Sequence, residues 1–239
     1  MSRNRKKPPP PPEEKILDIE ACRDLYERAM LCGEEDDWPG FESKMFSAMV
    51  ETIRLFDKQN KSQANKEDRA ESQEFVGDCC YELGKFYLEA DETYQLSGPS
   101  EESARKARPH LSRALKFGES EDKVTAAYFK PALLALSEVY ATLHEHQLDI
   151  ELCERNITKM TERYNKLTPL QNDLLVALAQ AYNRVNRLYE AEDAYEKIVA
   201  ICKQNFGDDS EQTKEAEEDL AEFKTDKTAL VCKCSAISL

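Results

Sequence analysis

Side chains able to do chemistry are sparse in this chain, which has three histidines and eight cysteines in 239 residues. His144-Glu145-His146 strings three potential metal donors together. Positions i and i+2 of a helix face away from each other, so the two imidazoles are not expected to share an ion. The run also falls where two helices should join, which predicts a solvated turn rather than a zinc site. Cys79-Cys80, Cys22 and Cys32 read as small buried hydrophobes. Cys232-Lys233-Cys234 is different: two thiols at that spacing can hold a soft metal or oxidise, and the adjacent Leu230, Val231 and Ile237 would suit S-acylation. A prenylation box is excluded because Ala236 stands where its cysteine would be. There is no Gly-rich phosphate loop, no nucleophile elbow and no paired-Cys zinc spacing. The expectation is a protein that is not an enzyme, with no catalytic residue, no metal and no cofactor.

Composition narrows the class further. Lys and Arg total 33 against 47 Asp and Glu, a net charge of −14, which opposes nucleic-acid binding because phosphates need a basic face. The longest apolar stretches, Ala132–Ala135 and Leu174–Ala179, fall far short of the roughly 20 residues of a membrane span, so no integral membrane association is expected. Pro8–Pro12 stands where an apolar leader would follow the basic Arg3–Lys7, and the expected location is cytoplasmic, with reduced thiols. With 7 Gly and 10 Pro, five of the latter in one run, the chain lacks the turn residues of a sandwich or barrel. Ala, Leu, Glu, Lys and Gln are the residues of helices.

Those helices repeat. Leu133, Leu136, Ser137 and Tyr140 recur as Leu175, Leu178, Ala179 and Tyr182, a constant spacing of 42, and a further 42 reaches Leu220 and Ala221. Spacings of three and four put each cluster on one helical face, and the small residue lets a neighbouring helix approach. A second cluster, Ala191, Tyr195 and Ile198, marks the partner helix. Two antiparallel helices per unit with small residues at their crossing resemble the tetratricopeptide repeat (TPR), with the closest match over Asn172–Asn205. Lys130–Arg163 matches in its first helix, while Asp149 and Cys153 are poor occupants of its second. An earlier unit reads Cys80, Leu83, Gly84, Tyr87 and then Ala107, Leu111, Ala114, with an inserted loop near Asp91–Glu102 containing Ser97-Gly98-Pro99-Ser100. The first unit, Leu25, Ala29, Cys32, Trp38, Met45 and Ala48, is the loosest, with Arg28 at an apolar site. The 42-residue period and Phe206-Gly207-Asp208 are similar to kinesin-light-chain repeats. Length, acidity and paired helices also describe the 14-3-3 proteins, but no matching basic Arg-Tyr pocket motif is present.

The resemblance implies an all-α, TPR-like α-solenoid of about four antiparallel helix pairs plus a C-terminal capping helix. Expected boundaries are a disordered arm at 1–14, a repeat domain at 15–226 and a flexible tail at 227–239, with units near 22–55, 77–121, 130–163 and 172–205 and a cap at 210–226. The segment Asp57–Gln73 is expected to be an extended polar helix or a mobile link. By family analogy a concave groove is lined by Asp78, Tyr81, Lys85 and Leu88, then Leu134, Glu138 and Thr142, then Val176, Gln180, Asn183 and Arg184. A groove of that kind takes a partner peptide or helix. Chaperone-tail binders of the family grip a terminal carboxylate with Lys and Asn, whereas the corresponding sites here are Tyr26, Met30, Asp78 and Glu82, which favour a basic or apolar ligand. In the arm, Arg5, Pro8 and Pro11 fit a basic-x-x-Pro-x-x-Pro pattern for an SH3 or WW domain within Pro8–Pro12. Cys232 and Cys234 are candidate modification sites in the tail. The functional expectation is a non-enzymatic protein-interaction adaptor or assembly factor; the alternative is a structural subunit of a cytoskeletal, motor or axonemal assembly, with cytoskeletal or ciliary association.

Overall fold

The computed structural model describes residues 16–90, 98–118, 127–164 and 169–237, with side chains described outside 163–164, 169–170 and 229–237. Among the described residues there are nine helices and no strand. They are α1 (Ile19–Glu34), α2 (Trp38–Lys61), α3 (Lys66–Glu89), α4 (Glu101–Gly118), α5 (Phe129–Thr142), α6 (His146–Tyr164), α7 (Pro169–Arg184), α8 (Leu188–Phe206) and α9 (Glu211–Ile237). The chain divides into two compact units, Met1–Cys79 and Cys80–Leu239, with the boundary inside α3.

Local sequence sets the helix starts. Asp18 Oδ1 accepts from Ala21 N–H at 2.9 Å and Asp37 Oδ1 from Gly40 N–H at 3.1 Å, which caps α1 and α2. Asn65 and Ser100 do the same for α3 and α4. Ser210 caps α9. Gly207, at φ 90, ends α8.

Four of the helix-to-helix turns follow one design, without glycine. Asp36, Gln63, His144 and Asn186 all have left-handed φ between 53° and 58°. In each case the following N–H reaches back to a carbonyl five residues earlier: Asp37 to Cys32, Ala64 to Gln59, Glu145 to Tyr140 and Arg187 to Tyr182. His144 and Asn186 are themselves 42 residues apart, so the period holds in backbone conformation as well as in side-chain pattern. Asp57–Gln73, expected to be an extended polar helix or a mobile link, is the end of α2 to Lys61, one of these turns at 62–65, and the start of α3 from Lys66.

In the first unit α1 packs on α2 through Cys22, Ala29 and Cys32 against Phe41, Met45, Ala48, Met49 and Leu55. Trp38 departs from its expected core place and is half exposed, because it opens α2 beside the turn; its ring meets Phe41 edge-on.

In the second unit α4 packs on α5, α5 on α6, α6 on α7, α7 on α8 and α8 on α9. Gly84 is required where α3 meets α4: a Cβ there would lie 2.6 Å from Leu111. The Leu175, Leu178, Ala179 and Tyr182 row joins Ala191, Ala194, Ile198 and Cys202 in one buried cluster. The third register of the repeat shifts. Ala221 is exposed, and α9 covers the cluster through Thr213, Ala216, Leu220 and Phe223 instead, at three- and four-residue steps. The helix runs on past Asp226 to Ile237, consistent with the lack of any Gly or Pro after Gly207.

Candidate partner groove

The apolar rows of α5 and α7 turn one face of each helix inward and leave the opposite face to solvent. Beside α5 and α7 lies an open cavity of about 490 Å³. From α5 it is lined by Leu134, Ser137, Glu138, Ala141 and Thr142, and from α7 by Ala177, Gln180 and Arg184. Steps of three and four keep each set on one helical stripe. Gly98, at φ 79, and Pro99 close one side.

Five of the expected groove residues therefore share one cavity: Leu134, Glu138, Thr142, Gln180 and Arg184. Val176 is partly buried against the core cluster, and Asn183 is exposed outside the lining. Tyr81, Lys85 and Leu88 lie on α3 outside the lining as well; Leu88 is only 2% exposed and presents almost no surface. Asp78 belongs to the other compact unit. Arg5, Pro8 and Pro11 lie outside the described residues, whereas Cys232 and Cys234 fall on the helical backbone of α9 with side chains outside them.

The chemistry of the groove comes from a residue that the repeat pattern marks as a poor fit. Asp149 is fully buried on α6 at the site that Ala191 occupies 42 residues later. Ser137 likewise stands in the place of Ala179. Where one repeat packs two alanines, the other holds a hydrogen bond: Ser137 Oγ donates to Asp149 Oδ1 at 2.5 Å. Asp149 Oδ2 accepts no hydrogen bond and faces Arg184 Nη1 at 3.7 Å. Burial pushes the Asp149 carboxyl above its ordinary range, and the Ser137 hydroxyl and the Arg184 charge oppose that push. Arg184 and Ser137 both line the cavity, so the buried carboxylate anchors the groove's cation from within. The signal available in the sequence was the coincidence of two polar residues at both small-residue positions of one unit.

Aromatic side chains buttress the ends of the same helices. Tyr182 donates to the Glu154 carboxylate and lies under the Arg187 guanidinium, 4.5 Å from its ring centre. Burial and then the Glu154 bond raise its hydroxyl well above the usual range. Tyr140, its counterpart 42 residues earlier, has Arg108 at 5.4 Å from its ring.

His144 and His146 sit at the α5–α6 turn, as their position predicts, but their rings approach to 5.8 Å edge-on. The helical i, i+2 argument fails there because His144 has left-handed φ and lies outside either helix. Among the described residues no three or more His, Cys, Asp and Glu side chains gather as a metal site. Cys80 and Cys153 are each pushed up to about 12, chiefly by burial. Among the described residues no helix is long and apolar enough to cross a membrane.

These helix pairs, their shared turn and their repeating core define a TPR-like, all-helical repeat fold. No family model and no curated protein matches the sequence. Among solved structures the chain is similar to a kinesin light chain of Podosopora anserina with nearly identical TPR-like repeats, and to a variant form of that same protein. Both are 16% identical over 91% of this chain, with 95% and, for the variant, 94% of their own length covered, and both give a TM-score of 0.47.

Proposed function

We propose that this protein is a protein-interaction adaptor or assembly factor whose second unit docks a partner segment in the groove of α5 and α7. The observation carrying this reading is that Leu134, Glu138, Thr142, Gln180 and Arg184 line one and the same open cavity. A mixed lining of this kind supports an extended peptide or helix: Leu134, Ala141 and Ala177 take apolar side chains, and Gln180 and Thr142 take main-chain groups. The lining carries the acidic Glu138 while the Arg184 charge faces Asp149, which favours a basic over an acidic side chain. The SH3- or WW-type ligand at Arg5, Pro8 and Pro11 is a separate proposal resting on the sequence pattern alone.

The test is proximity labelling in cells with three chains: wild type, a Glu138→Lys/Gln180→Glu groove variant, and Lys214→Glu on the exposed face of α9 as control. Partners enriched by wild type and Lys214→Glu but lost by the groove variant support the reading. The same partners recovered by all three refute it. The 42-residue period shared with kinesin-light-chain repeats supports a second reading, a fixed subunit of a cytoskeletal assembly. Insolubility of the chain expressed without partners would favour that one.

A further inference from the structure

The six described cysteines are all buried, and the expectation for Cys32 was a small apolar filler. Its surroundings are not apolar. Lys44 Nζ lies 2.7 Å from Cys32 Sγ, reaching back from α2 to α1 across the turn at Asp36. By comparison, the Cys153–Asp149 and Cys202–Asn172 side-chain contacts are longer, at 3.8 and 4.0 Å. A sulfur is large, and a nitrogen this near it sits well inside an ordinary hydrogen-bond separation; one oxygen atom bonded to both would span the gap. Cys32 keeps 7% of its surface and neighbours the exposed Leu31, so a molecule as small as a peroxide has a route to the sulfur.

We propose that Cys32 and Lys44 form an oxidative modification site, in which hydrogen peroxide closes a covalent N–O–S link between α1 and α2. Written for neutral side chains, the Cys32 sulfur attacks the first peroxide and the O–O bond breaks. The S–O bond forms, and the thiol proton leaves with the departing hydroxide as water. Lys44, having given its extra proton to solvent, then forms the N–O bond to the sulfenic oxygen. The second peroxide accepts the two electrons released, and one N–H proton and the sulfenic proton leave in its two waters. One thiol, one amine and two peroxides thus give one link and three waters, with sulfur and nitrogen each oxidised by two electrons. The link closes the first helical hairpin covalently, and a thiol reductant reopens it.

The experiment treats the full chain with hydrogen peroxide, blocks residual thiols, and reads intact mass and a tryptic peptide map. Expected is a species heavier by one oxygen and lighter by two hydrogens. Trypsin then fails to cut after Lys44, so the peptide Ala29–Lys44 that holds both residues runs on to Arg54, and fragment ions place the link between Cys32 and Lys44. Dithiothreitol restores the original map. Lys44→Arg keeps the positive charge but loses the link, and its Cys32 proceeds to sulfinic acid; Cys32→Ser loses both products. Wild-type Cys32 recovered as a thiol, as an unlinked sulfinic acid, or joined to any other residue overturns the proposal. So does the same mass change surviving in Lys44→Arg. The wild-type map alone decides the matter if either variant folds poorly.

Discussion

Replacing Asp149 and Ser137 one at a time and then together is the sharpest test of how this repeat tolerates a carboxylate in its interior. In Ser137→Ala the buried Asp149 Oδ1 loses its hydroxyl donor while Oδ2 already accepts no hydrogen bond. A lost hydrogen bond to a charged group costs about 1.5–3 kcal/mol, and the carboxylate has no route to water. Asp149→Ala is milder: Ser137 is left without its acceptor inside the protein, for about 1–3 kcal/mol, but the desolvated charge goes with the deletion and Arg184, which is 39% exposed, returns to solvent. The double variant reproduces the Ala179/Ala191 arrangement that the next repeat already packs. Exchanging both polar partners for apolar ones is close to neutral or stabilising, so the double variant should lie within about 1 kcal/mol of wild type. The assay is urea denaturation followed by circular dichroism, with hydrogen exchange across α5–α8 to localise the effect. The pH dependence fixes the sign. Because the folded Asp149 carboxyl is raised above its unfolded value, its contribution to stability is fully present below the unfolded value and is lost as pH rises through the folded one. Wild type should therefore gain on the double variant as pH falls from neutrality into the carboxylate range. A double variant weaker than either single one, or a difference that grows in the opposite direction with pH, would refute the reasoning.

Four other substitutions probe the frame. Gly84→Ala should cost about 1–3 kcal/mol by overpacking against Leu111, read as a lowered melting temperature, with part of the loss recovered by adding Leu111→Val. His144→Gly should stabilise the α5–α6 turn by up to about 1 kcal/mol in a urea titration, because left-handed φ strains a side chain more than it strains glycine; Asn186→Gly should gain less, asparagine adopting that region readily. Phe223→Ala should cost about 3–5 kcal/mol, since the ring is 6% exposed and packs 5.0 Å from Tyr195, and limited proteolysis should then cut α9 first.

What the sequence conveys best is whatever repeats by hydrophobic size. Leu133, Leu136 and Tyr140 announce their counterparts Leu175, Leu178 and Tyr182, and the helix pairs follow from them. The turns are harder to read, because Asp36, Gln63, His144 and Asn186 share a backbone conformation while sharing no side-chain type. Leu220-Ala221 keeps the sequence phase, yet Ala221 faces solvent: the stripe through Ala216, Leu220 and Phe223 is the one that meets the core beneath α9. The groove was half legible, since alternate helix faces can be counted from the core row, whereas Ser137, Ala141 and Ala177 join its lining only once α5 and α7 lie side by side. Asp149 looked like a defect because an unpaired buried carboxylate is one; Ser137 and Arg184, which answer it, come from other helices. Cys32 and Lys44 are twelve residues apart across a turn, and no periodicity links them.

The docking claim is tested most directly by hydrogen–deuterium exchange on the full chain with and without a partner recovered by proximity labelling. Protection concentrated at 134–142 and 177–184, with α8 and α9 unchanged, is the predicted result. Protection confined to α8 and α9, with those two stretches exchanging as they do alone, would contradict it.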